Sequence, residues 1–222
     1  MKYIIISKKK WDQNNFKGLS RNFVFQSKVN FSKIKKINPK IIFFIHWSKI
    51  IKKEIYKKYL CIQFHSSNLP KGRGGSPIQH QILSNMKKTK LTAFKISNLL
   101  DAGPICLKKD LSLMGSAEEI LKRMEHVSLK MIKEIVKTKK LKFKKQIGKS
   151  SFYRRRKPSE SLVKLNKLSN LNNLYNFLRM LDAPGYPKAF IELNKFRFTF
   201  QNIKMKKKLI YASIKIGKNE KK

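Results

Sequence analysis

Short runs of apolar residues recur through the first half of the chain. They cover residues 3–7, 41–47, 60–65 and 91–96, and polar residues follow each of them. Apolar runs of this length are typical of strands that are covered on both faces, as in a parallel sheet. We therefore predict four strands of one sheet, the first of them at the very start of the chain.

Helices are predicted between these strands. Residues 48–59 place apolar side chains at helical spacing. A second helix is predicted to begin after Ser76, which offers an N-cap. Pro77 would occupy its first position, and Gln79 would complete a capping box with Ser76.

A longer helix is predicted after Ser116, because Ser116 and Glu119 form a second capping box. An apolar stripe follows it, made of Ile120, Met124, Val127, Met131 and Ile135. Strands that alternate with helices predict an α/β fold with a doubly wound, mostly parallel, Rossmann-like sheet that reaches about residue 138.

The pattern changes beyond this point. Residues 139–150 are rich in lysine and predict a linker or an edge segment. The remaining residues predict a helix with one leucine face, and then short antiparallel strands at 189–193, 196–200 and 209–216. We expect three parts: a core at 1–138, the linker at 139–150 and a small α+β extension at 151–222.

Charge is the most unusual feature of the composition. The 222 residues include 53 Lys and Arg against 12 Asp and Glu, a formal net charge of +41. Such a charge attracts phosphate, but eight of the cations are arginine and the lysines are spread over nearly every segment. We therefore attribute the lysines to solvated faces and expect no nucleic-acid partner. With 41% hydrophobic residues the chain can bury a core, which excludes disorder as its main state.

Two further features bear on the compartment. No apolar run approaches the roughly 18 residues that a membrane-spanning helix needs. The two cysteines, Cys61 and Cys106, form no CxxC pair. We expect a soluble, cytoplasmic protein with reduced thiols and no membrane contact.

Polar residues gather around the end of the third predicted strand. Gln63 and His65 are two positions apart, so they project to the same face of that strand. A glycine-rich loop follows, and ligands of open α/β sheets bind beyond the carboxyl ends of the strands. Asp101 lies in a turn after the fourth strand, with Gly103 expected at a positive φ. The amide, the imidazole and the carboxylate together form a candidate catalytic site.

Some kinds of site are not expected. The first strand is followed by SKKKWDQNNF rather than by GxGxxG, which argues against a dinucleotide cofactor. The later glycines lack the GK[ST] of a phosphate loop. The four histidines, at positions 46, 65, 80 and 126, show no paired ligand spacing, so we predict no metal.

Two segments carry a resemblance to a known family. HSSNLPKGRG, which begins at His65, and LDAGPI, which contains Asp101, resemble the signature motifs of folate-dependent formyltransferases, the family that includes methionyl-tRNA formyltransferase. The resemblance extends over residues 39–136. FYRRRKP and MLDAPGYPKAFI in the tail resemble bacterial N-formyltransferases of nucleotide-linked amino sugars, nearest to those for UDP-linked 4-amino-4,6-dideoxy sugars of the pseudaminic acid type.

The resemblance implies an activity and roles for three residues. A formyltransferase core at 1–138 would move a formyl group from 10-formyltetrahydrofolate to the primary amine of a nucleotide-linked amino sugar. His65 would stabilise the negative charge that develops on the formyl oxygen, and Asp101 would take the proton of the amine. Gln63 stands where the family has Asn, which displaces the carboxamide by one methylene.

Two binding regions are implied in the same way. The residues expected to line the folate pocket are His46, Trp47, Ser48, Lys49, Ile50 and Ile51. The residues expected around the acceptor are Ser67, Arg73, Gly74 and Gly75. Arg73, together with the predicted helix N-terminus, could hold an anionic group of the substrate.

Other functions remain open at this point. A methionyl-tRNA formyltransferase would suit the basic charge, although the roughly 80 residues after the core leave little room for the C-terminal β-barrel of those enzymes. A glycinamide ribonucleotide formyltransferase, a catalytically impaired homologue and an RNA-associated binding protein are further alternatives. The tail strands could also pair across a homodimer.

Overall fold

The computed structural model describes residues 1–8, 19 and 21–219. Its strands are β1 (Tyr3–Ile6), β2 (Phe23–Gln26), β3 (Ile41–Phe44), β4 (Leu60–His65), β5 (Arg73–Gly74), β6 (Lys88–Lys95), β7 (Ile105–Ser112), β8 (Phe152–Tyr153), β9 (Phe190–Leu193), β10 (Phe196–Lys206) and β11 (Leu209–Lys218). Its α-helices are α1 (Phe31–Ile37), α2 (Lys53–Lys58), α3 (Pro77–Leu83), α4 (Ala117–Lys137) and α5 (Leu171–Arg179).

The chain forms two compact units. We call the first the sheet unit; it comprises Met1–Gly74, Lys90–Leu111 and Met124–Phe152. We call the second the tail unit; it comprises Gly75–Thr89, Ser112–Arg123 and Tyr153–Lys222. Each unit is therefore assembled from segments that are distant in sequence.

A six-stranded sheet has the strand order β2-β1-β3-β4-β6-β7. β1 pairs in parallel with β2 and β3, and β3 pairs in parallel with β4, whereas β6 runs antiparallel to β4. The predicted α/β fold with a mostly parallel sheet is thus confirmed. Two strands that the sequence did not predict, β2 and β7, occupy the edges of this sheet.

A hydrophobic core covers one face of the sheet. Ile6 of β1 and Phe44 of β3 are fully buried there, and Ile34 of α1 and Ile55 of α2 pack into the same cluster. Each such side chain stabilises the fold by about 1.5–3 kcal/mol relative to its exposed state. This packing holds the carboxyl ends of the central strands in fixed register.

The two predicted capping boxes have different outcomes. At α4 the box is confirmed, because the Glu119 amide donates to the Ser116 hydroxyl and the Ser116 amide donates to the Glu119 carboxylate. At α3 the predicted box is wrong, because Ser76 has a left-handed φ of 53° and its side chain caps no helix amide. The Ser76 hydroxyl instead accepts from the backbone amide of Arg156. This tertiary partner displaces the local cap.

The tail unit contains the predicted antiparallel strands, in the order β11-β10-β9. Asp182 fixes one side of this sheet: its Oδ2 accepts from the amide of Ile203 at 2.8 Å, and its Oδ1 pairs with the ammonium of Lys188 at 2.8 Å. Among the helices of residues 1–8, 19 and 21–219, none is long and apolar enough to cross a membrane.

Candidate active site

The site begins at the carboxyl end of β4. Gln63 lies between Phe44 of β3 and Phe94 of β6 in the register of the sheet, and His65 pairs with Thr92. Because strand side chains alternate, Gln63 and His65 project to the same face. His65 is 6% exposed, and Gln63 is half-buried. The predicted juxtaposition of an amide and an imidazole is therefore built into the strand.

The ring of His65 is held by the loop that follows it. Its Nε2 lies 2.7 Å from the carbonyl oxygen of Gly72. Gly72 has a φ of 71°, in the left-handed region that glycine adopts without strain. The other ring nitrogen of His65, Nδ1, lies 3.6 Å from Oδ2 of Asp101. The loop therefore fixes the ring, and the carboxylate faces the second nitrogen.

Asp101 is buried, with 6% of its surface exposed. Its Oδ2 accepts a hydrogen bond from the amide of Gly74 at 2.9 Å. Its own φ is 49°, so the positive φ of this turn lies at Asp101 and the expectation for Gly103 was wrong. Gly103 is needed for another reason, since a Cβ there would overlap the carbonyl oxygen of Lys95. The φ of 49° at Asp101 needs no glycine, because Asp is one of the few other residues that tolerate a left-handed conformation.

Gln146 belongs to the same cluster, and sequence reasoning missed it. Its Nε2 donates to the carbonyl oxygens of Asp101 at 2.8 Å and of Gly103 at 2.9 Å. Its Oε1 accepts from Nη2 of Arg73 at 2.7 Å and from Nε at 3.1 Å. Gln146 lies in the lysine-rich segment that was expected to be a linker. No pattern in that segment distinguishes it.

The residues expected around the acceptor do not all gather here. In the sheet unit, the Arg73 guanidinium lies over the ring of Phe152 at 5.8 Å. The Ser67 hydroxyl is buried and has no hydrogen-bond partner among the residues that the structure describes. Gly75 belongs to the tail unit, where its amide donates to Tyr153 and a Cβ would meet the Arg155 backbone at 2.6 Å. Close backbone packing therefore accounts for Gly75.

The expected folate segment follows β3. His46 has a φ of 49°, and Trp47 packs edge-on against Phe44 with ring centroids 5.8 Å apart. The indole N–H of Trp47 is buried without a hydrogen-bond partner among the described residues. Ser48 and Lys49 are exposed, Ile50 is 93% exposed, and Ile51 belongs to the hydrophobic core. Within the described ranges, no three His, Cys, Asp or Glu side chains gather as metal ligands would.

Comparisons with known proteins identify the family. The family model described as "Formyl transferase" matches residues 6–136. The model described as "Methionyl-tRNA formyltransferase, C-terminal domain" matches residues 158–217, so the expectation that the tail leaves little room for such a domain is not supported.

Relatives and solved structures agree with these matches. Methionyl-tRNA formyltransferase of Thermodesulfovibrio yellowstonii is 36% identical over 47% of this chain and 35% of its own length. The solved structure of methionyl-tRNA formyltransferase from Clostridium thermocellum is 39% identical, with a TM-score of 0.92 over 99% of this chain and 100% of that chain. This chain matches about a third to a half of the length of the first curated relatives.

The sugar enzymes are more distant. A 4-N formyltransferase from Francisella tularensis is 14% identical, with a TM-score of 0.65 over 87% of this chain and 93% of that chain, a likeness that extends to the fold alone. The expected closeness to amino-sugar N-formyltransferases is therefore not supported. The family itself is confirmed: this chain belongs to the formyl transferase family.

Proposed function

We propose that this chain transfers a formyl group from 10-formyltetrahydrofolate to a primary amine, at the site around His65 and Asp101. The observation that carries the proposal is the 3.6 Å approach of Asp101 Oδ2 to His65 Nδ1, with both side chains buried at the carboxyl end of a central strand. An amine is its own nucleophile, so this chemistry needs a hydrogen-bond donor and a proton acceptor rather than a catalytic serine or cysteine.

The geometry supports a division of labour between the two residues. Nε2 of His65 is committed to the Gly72 carbonyl, so Nδ1 is the ring nitrogen that can face the reacting group. Because Nε2 already carries the proton that the Gly72 carbonyl accepts, Nδ1 would donate to the oxygen that gains negative charge only when the ring is the doubly protonated imidazolium. Asp101, held by the Gly74 amide through the same oxygen that faces His65, would accept the proton that the amine loses. The Gln63 carboxamide, on the same face as His65, would supply a further donor.

The folate would be held by the segment after β3. The buried indole N–H of Trp47 lacks a partner among the described residues, which suits a donor that awaits a polar ring edge. The exposed Ser48–Ile50 backbone lies next to it. When bound there, 10-formyltetrahydrofolate supplies the formyl carbon. His46, Trp47 and their neighbours would orient it beside β4.

For the acceptor we propose methionyl-tRNA. The match of residues 158–217 to the C-terminal domain of methionyl-tRNA formyltransferase supports this acceptor. So does the charge of β9–β11. These strands and their turns carry one acidic residue, Glu192, and eight exposed cations: Lys195, Arg197, Lys204, Lys206, Lys207, Lys208, Lys215 and Lys218. A surface of this kind attracts the phosphates of RNA. This reverses the expectation of no nucleic-acid partner.

An assay with two acceptors tests the proposal. The purified protein is given 10-formyltetrahydrofolate with either methionyl-tRNA or a UDP-linked 4-amino-4,6-dideoxy sugar, and the formylated amine is quantified by mass spectrometry. We expect formyl-methionine, with a KM for the tRNA that rises steeply with salt. Formylation of the sugar alone would overturn the acceptor, and no formylation of either would overturn the activity. Triple substitution of Lys206, Lys207 and Lys208 by Glu should raise the KM for tRNA.

A further inference from the structure

We infer that Gln146 is a positioning residue that sets the geometry of Asp101, an inference that rests on the proposed formyl transfer. Gln146 makes four hydrogen bonds within the sheet unit, two from its amide nitrogen and two to its amide oxygen. All four of these bonds are made to the Asp101 turn or to Arg73. The Gln146 carboxamide therefore connects the Asp101 turn with the loop that contains Arg73.

The nitrogen half of the carboxamide acts on the turn. Nε2 donates to the carbonyl oxygens of Asp101 and Gly103, the residues on either side of the bend. Asp101 has a φ of 49°, in the left-handed region that few residues with a Cβ adopt. The two bonds from Gln146 clamp the peptide units on which this conformation depends. They therefore fix the direction in which the Asp101 carboxylate leaves the backbone.

The oxygen half acts on Arg73. Oε1 accepts from Nη2 and Nε of the guanidinium, which also lies over the ring of Phe152 at 5.8 Å. Arg73 directly precedes Gly74, whose amide holds Oδ2 of Asp101 at 2.9 Å. Gln146 thus restrains Asp101 in two ways. It binds the backbone carbonyl of Asp101 directly, and it holds Arg73, the neighbour of the Gly74 amide that binds the Asp101 carboxylate.

Two substitutions separate these halves. Gln146→Ala removes both, whereas Gln146→Glu keeps an oxygen for Arg73 and replaces the donor by a carboxylate oxygen that faces two carbonyls. We expect each to lower kcat by about 10- to 100-fold, since misplacement of a catalytic group by about 1 Å can cost 10²-fold. The KM for folate should change by less than about threefold. Ile147→Ala, at a neighbouring side chain that is 87% exposed, is the matched control and should keep both constants.

A merely structural role predicts a different result. Gln146→Ala would then lower the melting temperature while the folded fraction kept its kcat. If Gln146 acted only through Arg73, Gln146→Glu would retain kcat within about twofold, because an ion pair would replace the two hydrogen bonds. Either result overturns the inference.

Hydrogen exchange at Gly74 gives a readout that needs no activity. Its amide is protected by Oδ2 of Asp101, so we expect both variants at position 146 to exchange this amide at least about tenfold faster than the wild type and than Ile147→Ala. A wild-type protein that forms no formylated product would overturn the proposed function. Unchanged exchange at Gly74 in both variants would overturn the role of Gln146, whatever the outcome for the activity.

Discussion

The carboxylate of Asp101 faces the imidazole of His65 at 3.6 Å, and one loop fixes both side chains. The carbonyl of Gly72 holds Nε2 of His65, and the amide of Gly74 holds Oδ2 of Asp101. Gly72 and Gly74, two positions apart in the loop, therefore set the positions of the candidate donor His65 and of the candidate base Asp101. The arrangement leaves Nδ1 of His65 and Oδ2 of Asp101 directed at each other beside the end of β4.

His65→Ala tests the donor of this pair. Loss of one donor to a developing oxyanion typically costs about 10²–10³-fold in kcat, and we expect a loss of at least that size. His126→Ala, at an exposed position on α4, is the matched control and should retain full activity. Circular dichroism and titration with 5-formyltetrahydrofolate check that the fold and the folate pocket persist. Unchanged turnover in His65→Ala would remove the residue from the mechanism.

Asp101→Asn tests the base. Asn tolerates a φ of 49° as Asp does, and its side-chain oxygen can still accept from the Gly74 amide, so we expect the turn to remain intact. What it loses is the ability to take a proton, which should lower kcat by about 10²–10⁴-fold. Single-turnover kinetics measure this loss, and Asp110→Asn, whose exposed side chain pairs with Lys90, serves as the control. Loss of folate binding in Asp101→Asn would show that the residue is structural.

The sequence predicted the central strands because their apolar runs reflect burial on both faces. β2 and β7 escaped prediction since they lie at the sheet edges, where half-buried side chains blur the pattern. The site residues on β4 and in the Asp101 turn were predictable for the same local reasons: alternation along a strand, and turn chemistry after one.

What the sequence could not predict are the contacts between segments far apart in the chain. The amide of Gln146 reaches the Asp101 turn, and the carbonyl of Lys95 excludes a Cβ at Gly103. The backbone amide of Arg156 donates to the hydroxyl of Ser76, which therefore does not cap its own helix. None of these partners has a periodicity or a spacing that marks it, because each depends on the tertiary path of the chain.

Arg179 is expected to be a major determinant of stability in the tail unit. It is 5% exposed; its Nη1 donates to the carbonyls of Leu113 at 2.7 Å and Gly115 at 2.6 Å, and its Nε donates to Asn176. Burial lowers the pKa of its guanidinium from the ordinary value. Arg179→Met leaves two carbonyls without their donor and should lower the free energy of unfolding by about 2–4 kcal/mol.

The matched control for Arg179 is Arg197→Met on β10, which breaks a solvent-accessible ion pair with Glu192. Exposed pairs contribute about 0–1 kcal/mol, so we expect a correspondingly small change. Urea denaturation followed by tryptophan fluorescence measures both variants. Equal losses in the two would contradict the importance of burial for Arg179.

Both thiols should be unreactive in the folded protein. Burial raises the pKa of Cys61 and of Cys106 to about 12, and the Cys106 thiol also donates to the carbonyl of Ala93. Because the thiolate is the reactive form, on the order of 10⁻⁴ of either group would be ionised at pH 8. We expect Ellman's reagent to label the native protein over hours and both cysteines within minutes in denaturant. Rapid labelling of native protein at pH 8 would contradict this.

Gln63→Asn tests the departure of this chain from the family pattern. The register of β4 fixes the Cβ of residue 63 between Phe44 and Phe94, while the loop glycines fix His65 and Asp101 independently. Asn would therefore move the carboxamide roughly 1 Å away from His65 and Asp101, which keep their positions. We expect kcat to fall by about 10- to 100-fold. Gln63→Ala, which removes the donor, should fall at least as far. A faster Gln63→Asn enzyme would contradict this prediction, because it would mean that the extra methylene of Gln63 places the carboxamide less well than Asn does.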